Sequence, residues 1–201
     1  MIDNQKLDLI LASNSQGRKA LLTGADIKFK AHAANIDEAI IKTRNQSLGF
    51  PPAQTAQDLA DAKALFVSKQ YPSKLTLGSD QVCHLNGDII DKPGSTDRLF
   101  AHIEKLNGKT HILTSAISIA QNGKIIFRYS DDAHLTMYNL SADEIKNYVN
   151  RASEQVVNAA GGYHLEAIGV QLFKNIDGSY FTILGLPLLP LIEFLRGSKA
   201  N

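Results

Sequence analysis

The chain has 201 residues, 44% of them hydrophobic and 20% charged, enough for one sizeable core or two lobes around a cleft and too few for several independent domains. A net charge of +1 leaves no general basic field to attract nucleic acid, so a phosphate ligand has to be held by a few placed cations. The N-terminus lacks the segments of a signal peptide, no apolar run approaches a membrane span, and the lone Cys83 suits a reducing compartment, so a cytoplasmic protein is expected. Cys83 stands in an apolar run and reads as a small buried hydrophobe rather than a nucleophile.

Leu7 to Ser13 reads as a strand, and Ser15 is a candidate N-cap for a helix that runs to about Thr23 and ends at Gly24. Ile27 to Ala33 alternates like a second strand. Asn35 to Pro52 has weak periodicity and a Gly/Pro-rich end, and is expected to be mostly loop. Thr55 to Gln70 is the clearest helix, with Leu59, Ala62, Phe66 and Val67 at helical spacing; steps of about 100° place Lys63 within that stripe. Leu75 to Leu85 reads as a buried strand that turns at Asn86-Gly87 and returns through Asp88 to Asp91. Thr96 to Leu106 is a helix closed by Asn107-Gly108, and Thr110 to Gln121 with Lys124 to Leu140 forms a long hairpin around Asn122-Gly123. Ser141 to Glu144 is a capping box that opens a helix to about Asn150. Gly161-Gly162 leads to a strand from Val170 to Ile176, Asp177-Gly178 turns it back through Tyr180 to Leu184, and Leu186 to Leu195 is the last helix. Strands and helices intermix without strict alternation, so the expected architecture is mixed α/β: one domain over 1–201, with an elongated central sheet and a cleft between two lobes.

Asp80 is the residue most in need of a reason, because a carboxylate inside an apolar strand is costly unless a cation, a metal or a reaction holds it there. A structural ion pair is the plainer alternative. Ser13 to Arg18 join a strand end to a helix start, where free amides, two hydroxyls and a guanidinium could face one anion; from this segment alone, plain capping with a surface arginine is the stronger reading. Lys63 either meets an anion or lays its stem on the core with the ammonium in water. Lys92 precedes Pro93, which fixes its backbone as extended. Glu38 and Asp80 are the candidate carboxylates for magnesium or manganese, which take one or two carboxylates with waters and phosphate oxygens. The six histidines show no zinc-type spacing, and there is neither a Walker loop nor a Gly-x-Gly-x-x-Gly motif.

In their order and spacing, Ser13-x-Ser15-x-x-Arg18, Asp37-Glu38, Lys63, Gly78-x-Asp80, Lys92-Pro93 and Gly185-Leu186-Pro187 resemble the Maf family of nucleoside triphosphate pyrophosphatases over essentially the whole chain. The resemblance implies a fold related to the inosine triphosphate pyrophosphatases, a divalent metal, a homodimer, and hydrolysis of a nucleoside triphosphate to monophosphate and pyrophosphate. It implies Asp80 as proton acceptor, Glu38 with Asp80 at the metal, and Ser13, Ser15, Arg18, Lys63 and Lys92 on the phosphates. Gln81 and Glu166 are similar to the branch that acts on 7-methyl-GTP, whereas Gly17 stands where that branch has tryptophan and Gln16 where proline is usual. Asn158 replaces an aspartate of the dTTP/UTP branch. The expected substrate is therefore 7-methyl-GTP or a related modified nucleotide; dTTP/UTP, a noncanonical purine triphosphate, or a sensor that binds without cleaving are the alternatives.

Overall fold

The computed structural model describes residues 2–5 and 7–197; Met1, Lys6 and residues 198–201 lie outside it. Strand β1 (Leu9–Leu11) leads into helix α1 (Gln16–Gly24), capped by Ser15, and a two-residue strand β2 (Lys30–Ala31) pairs back on β1 in parallel. Helices α2 (Glu38–Ser47) and α3 (Pro52–Ser68) precede the central strand β3 (Leu75–Leu85), and β4 (Asp88–Ile90) folds back on its end. Helix α4 (Thr96–Leu106) enters the long hairpin of β5 (Thr110–Gln121) and β6 (Lys124–Met137). The chain closes with α5 (Ala142–Arg151), two 3-10 turns, β7 (Phe173–Asp177), the short α6 (Tyr180–Ile183) and α7 (Leu188–Gly197).

The result is a mixed 7-stranded sheet in the order β2-β1-β3-β5-β6-β7, with β4 beside β3. β1 runs parallel to β2 and β3, and every later pairing is antiparallel. Asn86 and Asn122 take φ of 54° and 52° and the following Gly87 and Gly123 take 90° and 70°, so both hairpins turn with the left-handed pair of residues that the twist of flanking strands favours.

Two apolar clusters share this sheet. One gathers Leu9, Leu22, Leu77, Ile117 and Leu191 around β1, α1 and α7; the other gathers Cys83, Ile103, Leu113, Leu135 and Ile145 around α4 and α5. On β3, Leu77 belongs to the first and Cys83 to the second, which leaves Asp80 on the stretch between them. The strand is therefore anchored at both ends by burial of apolar surface while its middle carries a polar group.

Helix α3 crosses that middle at Gly78. A Cβ there would lie 2.1 Å from the Ala60 carbonyl oxygen and 2.6 Å from the Ala64 amide nitrogen, so only glycine permits this approach. The closeness is what lets a lysine on α3 reach β3.

Two expectations are overturned. Residues 38–47, read as mostly loop, form α2: Asp37 caps it by accepting from the amides of Ala39 and Ile40 at 3.0 and 3.3 Å. Its one fully buried residue is Asn45, bonded to Thr55 and Asp58 of α3, so polar contacts rather than an apolar stripe hold it and no periodicity shows. The segment after Gly178 does not return as a strand. Ser179 caps α6 by accepting from the Phe181 amide, and the turn buries Thr182 and Ile183. The first two strands are also shorter than their apolar runs.

Replacing Gly78 with alanine forces α3 off β3 and lowers stability by roughly 1–3 kcal/mol or more, read from urea unfolding midpoints. A midpoint equal to that of the natural chain contradicts the close approach.

Candidate active site

A cleft of about 730 Å³ opens between the two clusters. On one side lies the turn from Ser13 to Arg18, on the floor Asp80 and Gln81, and on the other side the segment from Gln155 to Glu166. All the sequence-predicted site residues line it: Ser13, Ser15, Gly17 and Arg18 at the start of α1, Glu38 from α2, Lys63 from α3, Asp80 and Gln81 from β3, Lys92 after β4, and Glu166 on the far wall.

At its centre Lys63 is 8% exposed and Asp80 7%. The Lys63 ammonium lies 2.5 Å from Asp80 Oδ1 and 2.7 Å from Glu38 Oε1, so one cation bridges two carboxylates brought from separate elements. The inward-facing alternative for Lys63 is the one the structure adopts, and the anion it meets is Asp80. Burial alone pushes the Glu38 carboxyl up, but Lys63, through its charge and hydrogen bond, with Lys92 and Lys42, outweighs this and holds its pKa below the usual carboxylate value. Asp80 Oδ2 accepts no hydrogen bond from any described residue.

Arg18 is buried rather than on the surface. Its Nε donates to the Gly185 carbonyl at 2.9 Å and its Nη1 to Ser13 Oγ at 3.2 Å, which leaves Nη2 without a partner among the described residues. Loss of water lowers the guanidinium pKa, and Asp80 and Glu38 pull it back up. The Gly185 carbonyl also accepts from Ser79 Oγ at 2.9 Å, so one backbone oxygen ties α1, β3 and the 184–186 turn together. Lys92 makes no ion pair with any described residue; its pKa is lowered by loss of water, with Asp80 and Glu38 raising it and Arg18 and Lys63 lowering it. At the Lys63 end of the cleft three cations (Arg18, Lys63, Lys92) face two carboxylates (Glu38, Asp80), one positive charge in excess, and the third lining carboxylate, Glu166, lies on the far wall.

Gln81 shows a set of residues the sequence did not single out. Its amide nitrogen donates to Ser115 Oγ and to the carbonyls of Thr182 and Ile183 at 3.0, 2.9 and 3.0 Å. Backbone carbonyls only accept, so the amide orientation is forced and Oε1 has no partner among the described residues. Ser115 in turn donates to the Thr182 carbonyl and Thr182 Oγ1 to Asp131. No local spacing links Ser115, Asp131 and Thr182; the β5/β6 register pairs the first two, and the packing of α6 brings Thr182 to them.

The far wall is stiff. Tyr163 OH shares a 2.6 Å hydrogen bond with His111 Nε2, the Tyr163 ring packs edge-on against Phe173, and Tyr148 OH donates to the Gly162 carbonyl at 2.9 Å. His102 hydrogen-bonds the Gly161 backbone. Cys83 is buried and its thiol is pushed up to about 12, which removes it as a nucleophile.

An open mixed sheet whose central strand offers a carboxylate to three converging cations defines an α/β protein built around an anion cleft. The chain belongs to the Maf-like protein family, whose profile matches residues 8–198. It is 42% identical over 191 residues to the 7-methyl-GTP pyrophosphatase of Brucella abortus biovar 1, covering 95% of this chain and 96% of that protein. It is 42% identical over 192 residues to the nucleoside triphosphate pyrophosphatase of Rhodopseudomonas palustris strain BisB18, covering 95% and 94%. Among solved structures, the Staphylococcus aureus Ham1 protein overlays with a TM-score of 0.48 at 13% identity, over 95% of this chain and 99% of that one, too loose a likeness to bear on the chemistry. No helix among the described residues is long and apolar enough to cross a membrane.

The Lys63 bridge predicts an order of stabilities. Lys63→Met leaves the Asp80 carboxylate buried without its cation and costs roughly 3–5 kcal/mol, whereas Glu38→Gln removes a 42% exposed partner and costs under about 1 kcal/mol. Equal losses in urea unfolding contradict this order.

The far wall predicts a pH dependence. Burial first, then His102 and His84, lower the His111 pKa to about 4. The unfolded chain binds that proton near pH 6.5 and the folded chain does not until about 4, so stability falls by up to ~3 kcal/mol across that window and no further below it. His111→Gln makes the decline shallower in urea midpoints taken between those two pH values, and identical slopes contradict the assignment.

Proposed function

We propose that the protein is a nucleoside triphosphate pyrophosphatase that cleaves the bond between the α- and β-phosphates, acting on 7-methyl-GTP or a related modified nucleotide. The observation that carries this reading is the pairing of Asp80 with Lys63 inside a cleft where Arg18 Nη2 and the Lys92 ammonium have no partner among the described residues. The names of the relatives at 42% identity support the reaction and the methylated base.

A triphosphate is tetravalent at neutral pH, and the arrangement meets it with charge at three points. The start of α1 offers free backbone amides, with the Ser13 and Ser15 hydroxyls, to the terminal phosphates. Arg18 Nη2 and Lys92 supply two cationic groups, and Lys63, bonded to Asp80, supplies the third. Asp80 Oδ2, without a hydrogen-bond partner among the described residues, accepts a proton from water as its oxygen bonds to the α-phosphorus. The bond to the bridging oxygen breaks, and pyrophosphate leaves with the cations neutralising its new charge.

Magnesium or manganese belongs to this reading. The donor set fits a hard cation: Glu38 and Asp80, from two elements, present oxygens to the same ammonium, so two carboxylates would be within reach of one ion. Among the described residues no third His, Cys, Asp or Glu joins them, so waters and phosphate oxygens would have to supply the remaining ligands. When bound there the ion neutralises phosphate charge in the transition state.

On the base side, Glu166 and Gln81 Oε1 are acceptors for the N–H donors of a guanine edge. A Cβ built on Gly17 meets only the Leu184 carbonyl oxygen and Ser15 Oγ, at 3.5 and 3.9 Å, so there is no aromatic floor at that position. The enzyme in this reading acts in the cytoplasm on free nucleotide, as a homodimer.

Asp80→Asn lowers kcat by about 100-fold or more with KM changed only a few-fold, as pyrophosphate release over a panel of triphosphates reads. Stripping the metal with EDTA abolishes turnover and added magnesium restores it. Near-normal hydrolysis by the asparagine variant refutes the role of Asp80.

A further inference from the structure

We propose that the His164 ring packs against the nucleobase and is the principal base contact of the far wall; this rests on reading the cleft as a nucleoside triphosphate site.

The cleft is built differently at its two ends. Arg18, Lys63 and Lys92 all come from the phosphate side, while the segment from Gln155 to Glu166 contains no lysine or arginine. A polyanion is drawn to the first side, which directs the base to the second. Of the described residues that line the cleft, only Tyr163 and His164 carry rings. Tyr163 is already committed: it is 4% exposed, its hydroxyl is bonded to His111 and its ring is packed on Phe173. His164 is half-buried, and its ring makes no hydrogen bond, ion pair or ring contact with any described residue.

The ring is also carried on a backbone that is fixed before any ligand arrives. A Cβ on Gly161 would lie 2.2 Å from the Tyr163 ring, and one on Gly169 would lie 2.5 Å from the His164 carbonyl oxygen, so the turn is packed from both sides of His164. Tyr148 and His102 hold the backbone of Gly162 and Gly161. Little backbone order is lost when a base is placed against a ring carried on such a turn. An imidazole is flat and polarisable and stacks on any base, so it supplies affinity, while discrimination falls to the hydrogen-bonding groups beside it.

The test uses the full-length enzyme with 7-methyl-GTP and GTP as substrates and inorganic tripolyphosphate, which has no base, as inhibitor. His164→Ala raises KM for both nucleotides about 5- to 100-fold with kcat little changed, and leaves the inhibition constant of tripolyphosphate where it was. His164→Phe recovers most of the lost affinity. Unchanged KM in the alanine variant, a parallel weakening of tripolyphosphate, or a phenylalanine variant as weak as alanine each overturns the ring contact and leaves the pyrophosphatase reading intact. A natural enzyme that hydrolyses no triphosphate overturns both.

Discussion

The Lys63 ammonium between Asp80 and Glu38 is the contact on which the site depends. Asp80 lies in the middle of the central strand and is almost wholly shielded from water, where an ionised carboxylate is unaffordable without a partner. Lys63 supplies that partner only because α3 lies directly on β3, and α3 lies there only because Gly78 has no side chain. A backbone constraint at one residue thus gives another its ion-pair partner.

The same logic extends outward. Arg18 spends two of its nitrogens on Ser13 and Gly185, fixing the α1 start to the 184–186 turn, and keeps the third for the cleft. Glu38 arrives on a helix that has a single fully buried residue and is tied to α3 by polar contacts. Such an element is held less firmly than the sheet. The cleft therefore combines cations and a far wall held by hydrogen bonds with one carboxylate on a lightly packed support.

Much of this was legible in the sequence, for identifiable reasons. Asp80 stood out because it broke an apolar strand, and Lys63 because helical stepping turned it inward. The two Asn-Gly turns and the Ser141 capping box are local signals, and the structure has both turns and the box where they were read. Helix α2 was not legible, because its stability comes from the Asp37 cap and from Asn45 reaching Thr55 and Asp58, neither of which produces an apolar period. The turn into α6 misled for the opposite reason: an apolar run after a Gly looks like a returning strand, and only burial under β5 and β6 decides otherwise. The support behind Gln81 is likewise invisible, since Ser115 and Asp131 are paired across the β5/β6 hairpin and Thr182 joins them from α6, far along the chain. Residues whose role follows from their neighbours in sequence were found; those whose role follows from pairing across the sheet were not.

The central claim is that this cleft directs water to the α-phosphorus of a nucleoside triphosphate. Phosphorus NMR of the products formed from 7-methyl-GTP with magnesium tests it most directly. The account predicts equal amounts of nucleoside monophosphate and pyrophosphate from the first turnover onward. Nucleoside diphosphate with inorganic phosphate, or an unchanged triphosphate spectrum, contradicts it.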